Sequence, residues 1–184
     1  MDVCIVGPKR SGKSTLFELL THNSTKFGRD VMVRKSNADV AEKIGIFNTD
    51  ITLYDTKSKE PYCENDLIPA CDGCIIVVSA DRHTSIKVSH ESYRAPLKYV
   101  CEWYLNQCKR EDVNVVLLIN KLDLLSDTVK HEETLRDIAT LTTELISKYE
   151  CLIYVALVSL HEMQSINAAQ NSCAPFFNIS QFAN

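Results

Sequence analysis

Gly7-Pro8-Lys9-Arg10-Ser11-Gly12-Lys13-Ser14 is the stretch on which the fold turns. It has the spacing G-x-x-x-x-G-K-[ST]. It lies between a short apolar run, residues 3–6, and residues 14–21, where Leu16, Phe17, Leu19 and Leu20 recur with a helical period. Strand, glycine loop and helix in that order make a phosphate cradle. Loop N–H groups donate to phosphate oxygens, Gly12 permits close approach, and the helix N-terminus adds the positive end of its dipole. Lys9, Arg10, Ser11 and Thr15 belong to this candidate binding segment with Gly7 and Gly12. Lys13 is the side chain expected to bridge the terminal phosphates, and Ser14 supplies a hydroxyl for Mg²⁺. By itself the loop fits an adenylate-type kinase or an ATPase equally well.

Outward from the loop, weak strand patterns at residues 36–44 and 48–54 flank Gly45, and the second leads into Asp55. Residues 74–79, 113–119 and 151–158 are continuous apolar runs, the pattern of strands buried on both faces of a parallel sheet. Helical periods separate them. Leu97, Val100, Cys101, Tyr104, Leu105 and Cys108 form one face, with Pro96 expected in the first turn. Leu135, Ile138, Ala139, Leu145 and Ile146 form another, and His131-Glu132-Glu133 reads as that helix's first turn. Strand and helix alternate after an initial antiparallel pair, which predicts an α/β doubly wound sheet with helices on both faces. Residues 1–184 have the size of one domain, and no repeat or low-complexity stretch divides them.

The identity of the base is read from Asn120-Lys121-Leu122-Asp123, which follows the buried run 113–119 and so stands at the C-terminal tip of a strand. A carboxylate at Asp123 accepts from the N1–H and exocyclic amine of guanine, donors that adenine lacks at those positions. Asn120 can brace the loop and the guanine edge, and the stem of Lys121 can cover the base plane.

On these two motifs the chain resembles a Ras-superfamily small GTPase over nearly its whole length, with a Rab-like pattern. The resemblance implies a P-loop G domain with a mostly parallel six-stranded sheet containing one antiparallel strand. It implies GTP or GDP as cofactor with Mg²⁺, held by Ser14 and Asp55. It also marks Ser159 and Leu160, in Val158-Ser159-Leu160-His161, as the counterpart of a Ser-Ala-Lys motif whose backbone meets the guanine carbonyl; only Ser159 matches. Phe27 is the candidate aromatic packing on the base.

The family pattern fails in one region. Asp55-Thr56-Lys57-Ser58-Lys59-Glu60 resembles the Rab-type D-T-A-G-Q-E but carries Ser58 for its glycine and Lys59 for its glutamine. Ser58 resists glycine-only backbone angles. An ammonium at Lys59 cannot accept a hydrogen bond from the attacking water that the family's glutamine orients. The Mg²⁺-ligating switch threonine should fall within residues 32–36, where only Ser36 offers a hydroxyl; Thr25 serves if the loop is re-registered. Lys9 replaces a glycine of Ras itself. Selective erosion beside intact phosphate and base motifs implies nucleotide binding with slow or absent hydrolysis and no assigned catalytic residue. A conventional switch with partner-stimulated hydrolysis and a nucleotide-free structural pseudo-GTPase are the alternatives. Rag-type GTPases, through Leu125-Ser126-Asp127 and residues 133–138, and intraflagellar-transport Rab-like subunits are further resemblances.

Composition narrows the partners. Twenty basic against 24 acidic side chains give a net charge of -4, so no sequence-wide basic field is available to nucleic acid. No apolar run approaches the roughly 18 residues of a membrane span. Asp2 in place of glycine and the final residues Gln181-Phe182-Ala183-Asn184 predict no lipid anchor. The expectation is a cytoplasmic protein acting with protein partners in trafficking or signalling, recruited to membranes or a cilium or flagellum through them. The eight cysteines are scattered through apolar segments, Cys71-Asp72-Gly73-Cys74 included, and read as reduced core thiols rather than a metal or redox site. His83, His90 and His131 read as solvated, and Trp103, Tyr99 and Tyr104 as core packing with a partner surface as the lesser option. A short helix is expected at residues 165–171.

Overall fold

The structure is a computed structural model that describes residues 2–21, 41–44, 51–55, 68–80, 83–88, 91–125, 128–160 and 173. Its centre is a sheet of β1 (Asp2–Val6), β2 (Ala41–Ile44), β3 (Ile51–Asp55), β4 (Gly73–Ser79), β7 (Asn114–Asn120) and β8 (Leu152–Leu157). Their spatial order is β2-β3-β1-β4-β7-β8. β3, β1, β4, β7 and β8 run parallel, while β2 pairs antiparallel with β3. Parallel neighbours require crossovers, and three helices supply the described ones: α1 (Lys13–Thr21), α2 (Leu97–Arg110) and α3 (Thr128–Lys148).

The strands are apolar throughout because both faces are covered. Alternate residues face opposite sides. Val3, Ile5, Ile75, Val77, Val116 and Leu118 pack with Leu16, Phe17, Leu19 and Leu20 of α1. Cys4, Val6, Cys74, Ile76, Val78, Val115, Leu117 and Ile119 pack with the buried faces of α2 and α3. Helices therefore occupy both faces, as the alternation of elements predicts.

The α2 face is the expected one: Leu97, Val100, Cys101, Tyr104, Leu105 and Cys108 are all buried. Pro96 differs. It ends a strand, Glu91–Pro96, and stands at the N-cap with φ -57° and ψ 148°, one position ahead of the first turn. Its fixed φ suits that extended residue, and an N-cap needs no N–H from it. The α3 stripe also differs, since Thr134, Ile138, Leu141, Leu145 and Tyr149 are buried while Ala139 and Ile146 face solvent. Tyr149, only 1% exposed, closes the stripe and pulls it round from the face through Leu135 and Ile146. The helix begins at Thr128, which puts Glu132 and Glu133 in its second turn rather than its first. Between α2 and α3, Lys98 pairs with Glu144 at 2.6 Å and Lys148 with Glu102 at 2.7 Å. Such exposed pairs contribute at most about 1 kcal/mol each, so the apolar contact beneath them dominates.

One element has no counterpart in the sequence reading. β5 (His83–Val88) and β6 (Glu91–Pro96) form a separate antiparallel hairpin between β4 and α2, in register from His83 opposite Pro96 to Val88 opposite Glu91. The run containing His83 is thus a strand instead of a polar connection. Its link, residues 89–90, lacks the Asn-Gly type of signal that marks a tight hairpin. Of the aromatics expected in the core, Tyr104 is buried and Trp103 half-buried against it, edge to face at 4.7 Å, whereas Tyr99 is 52% exposed because it lies off the buried face of α2. His90, Gly45 and residues 165–171 lie outside the described residues.

The described cysteines behave as core residues. Cys4, Cys71, Cys74, Cys101, Cys108 and Cys173 are buried free thiols, and Cys151 is half-buried. Burial pushes Cys101 and Cys173 up to about 12. A folded-state value raised above the unfolded one means stability that is complete below about pH 9 and declines as pH rises toward 12. Alkaline titration followed by circular dichroism should show that decline, and iodoacetamide should label Cys101 and Cys173 only after denaturation. Leu105→Ala, at a fully buried α2 position, should cost about 2–5 kcal/mol in urea unfolding.

Candidate functional site

The C-terminal ends of β1, β4 and β7 and the residues after β8 meet at one end of the sheet. The loop after β1 is shaped by its glycines. Gly7 has φ 144° and Gly12 φ 108°, angles that side chains rarely adopt. A Cβ on Gly7 would collide with the Val77 carbonyl of β4, and one on Gly12 with the Asn120 amide. The two glycines are thus required both by angle and by contact. Arg10, also in the left-handed region at φ 66°, is exposed at the loop's tip beside exposed Lys9.

Lys13 is 5% exposed and bends back over the loop, its Nζ donating to the carbonyls of Gly7 at 2.6 Å and Pro8 at 2.9 Å. The first helical bond of α1 is Leu16 N–H to the Gly12 carbonyl at 2.9 Å. The N–H groups of Lys13, Ser14 and Thr15 precede it and are the helix's initial donors. Ser14 is exposed at this terminus and Thr15 half-buried. Ser11 is buried, and its Oγ has no hydrogen-bond partner. A loop closed to any Cβ at two positions, with the unpartnered Ser11 hydroxyl and a helix N-terminus beside it, fits an anionic phosphate chain.

Asn120 ends β7 and connects the loop to the segments that follow β7 and β8. Its Nδ2 donates to the Ser11 carbonyl at 2.9 Å, while its Oδ1 accepts from the Leu160 N–H at 3.0 Å. Its own carbonyl accepts from Ala80 N–H at 2.7 Å. Lys121 follows in the left-handed region at φ 69°, turning the chain into the short 3-10 turn Leu122–Leu124. That turn presents Asp123, exposed, with its Oδ1 accepting from the Ser159 hydroxyl at 2.5 Å. Ser159 and Leu160 are buried, at 2% and 3% exposure. Asp123, Ser159, Leu160, Asn120 and the phosphate loop are therefore contiguous. Asp55 ends β3, beside Ile5 of β1 in register, two residues before the loop begins. The exposed Ser14 hydroxyl is a hard oxygen donor of the kind that suits Mg²⁺.

Phe27, Ser36, Thr25, Ser58 and Lys59 lie outside the described residues. Val77, Ser79 and Ala80 escaped the sequence reading. The Val77 carbonyl fixes Gly7 from below because β4 lies beside β1, and Ser79 is the register partner of Asn120 because β4 pairs with β7. Neither pairing is written in a local motif.

No protein-family description matches the sequence. No curated protein matches it either. Solved structures do. The translation elongation factor SelB from Methanococcus maripaludis, in complex with the GTP analogue GppNHp, aligns with a TM-score of 0.64 at 16% identity, covering 98% of this chain and 34% of that one. A bacterial selenocysteine-specific elongation factor EF-Sec aligns at 0.59 and 20% identity, covering 100% and 30%. The Roco2 RocCORdC protein of Methanosarcina barkeri, bound to GDP, aligns at 0.62 and 17%, covering 98% and 50%. The chain has the fold of a P-loop G domain and spans about a third to a half of these proteins' length.

Replacing Asn120 by alanine strands the buried Ser11 carbonyl and Leu160 N–H. It should cost about 1–3 kcal/mol in denaturant unfolding. Gly12→Ala should destabilise as well, because Asn120 must move to admit the methyl group.

Proposed function

We propose that this chain binds GTP or GDP with Mg²⁺ and cleaves GTP slowly or not at all, serving as a subunit or regulator within an intracellular trafficking or signalling assembly. One observation carries the nucleotide reading: the Asn120 carboxamide joins the phosphate loop at Ser11 to the base-loop residue Leu160, while Asp123 stands beside Ser159 on the same tip. A ligand with an anionic chain at one end and paired N–H donors at the other matches this span. Guanine supplies those donors to Asp123. The loop N–H groups, Lys13 and the initial turn of α1 would hold the phosphates, with Ser14 and Asp55 as Mg²⁺ ligands. Bound Mg²⁺ neutralises charge on the phosphates. GTP-analogue and GDP complexes of proteins with the same fold support the same ligand class.

Slow hydrolysis is supported by Ser58 and Lys59, at the positions of the family's phosphate-sensing glycine and water-orienting glutamine. The Rab-like resemblance supports protein partners and a cytoplasmic setting, with recruitment to membranes or a cilium through those partners, and the acidic charge balance argues against nucleic acid.

Calorimetric titration of the purified chain with GDP, GTP and ATP in Mg²⁺ tests the binding reading. Tight guanine binding without ATP binding is expected, and the opposite preference overturns it. Asp123→Ala should weaken GDP by at least about a hundredfold, since it leaves two guanine N–H donors without their charged acceptor. Single-turnover cleavage of bound GTP tests the second half; rapid release of phosphate would show an ordinary GTPase.

A further inference from the structure

β8 ends the six-stranded sheet on one side, and among the described residues no strand pairs with its outer edge. An open edge presents a row of backbone donors and acceptors, and soluble proteins blunt such rows with charge or proline. Leu152–Leu157, sequence LIYVAL, has neither. Ile153, Tyr154 and Leu157 are instead 43%, 48% and 38% exposed. Ile146, 52% exposed, adds an apolar side chain on the flank of α3 turned away from its ion pairs with α2.

The register fixes which way these residues point. Val155 and Leu157 pair with Leu117 and Ile119, whose side chains lie on the α2/α3 face. Tyr154 and Ala156 pair with Val116 and Leu118, on the α1 face. Ile153 is the extra residue at the register shift between Val115 and Val116.

We propose that β8 is the interface of a homodimer, in which the same strand of a second copy pairs antiparallel with it about a two-fold axis through Val155. The open backbone row calls for an extended strand, and the sequence complements itself. Directly opposed residues of an antiparallel pair share a face. About Val155, Ile153 opposes Leu157, and Tyr154 opposes Ala156, so the largest side chain meets the smallest. No charge is buried in this register. A charged partner strand would leave an unpaired charge between the sheets' edges, which favours the identical strand over an acidic or basic one.

Sedimentation of the full chain over a concentration series tests the proposal. The unaltered chain should dimerise. Ile153→Lys and Leu157→Glu, both at exposed positions, should each weaken the dimer at least about tenfold while thermal melting and GDP binding stay unchanged. Mixing the two variants sets Lys opposite Glu once per dimer and should restore association. A chain monomeric at every concentration overturns the proposal. So does a dimer that both variants leave intact, or a mixture that stays monomeric although both variants are folded.

Discussion

The Asn120 carboxamide is the interaction on which the rest of the site depends. Asn120 sits at the end of the buried strand β7, and through its side chain and carbonyl it holds residues near positions 11, 80 and 160. These segments are remote in sequence, and each is a turn that could adopt several conformations alone. Both ends of a buried amide must be satisfied, so their arrangement is fixed once β7 is in place. The strand in turn is fixed by burial on both faces, which makes the site a consequence of the core.

The same dependence explains what was legible in the sequence. The phosphate loop and the N-K-x-D segment could be read directly because each needs specific residue types at fixed spacing next to a buried strand. Gly7 and Gly12 are demanded by backbone angle and by the atoms they touch. The apolar runs at β4, β7 and β8 announced a doubly covered sheet for the same reason. Helix α2 was legible because its buried residues keep a clean period.

What the sequence hid depends on contacts made at long range. The role of Val77 beneath Gly7 exists only because β4 lies beside β1. The α3 stripe was misread because Leu135, Ala139 and Ile146 are apolar yet lie off the core, while the polar Thr134 is buried. The hairpin β5–β6 forms a small sheet of its own, and no continuous apolar run or strong turn marks it in the sequence. Apolar character locates a surface that will be covered, but it does not say by what.

The contact between Gly12 and the Asn120 amide carries a further consequence. With no atom to spare between them, the loop after β1 and the tip of β7 are held at one separation. The spacing between the two ends of the site is then a property of the fold, set by the packing of the strands. A ligand reaching both ends would have to match that length, without any residue dedicated to measuring it.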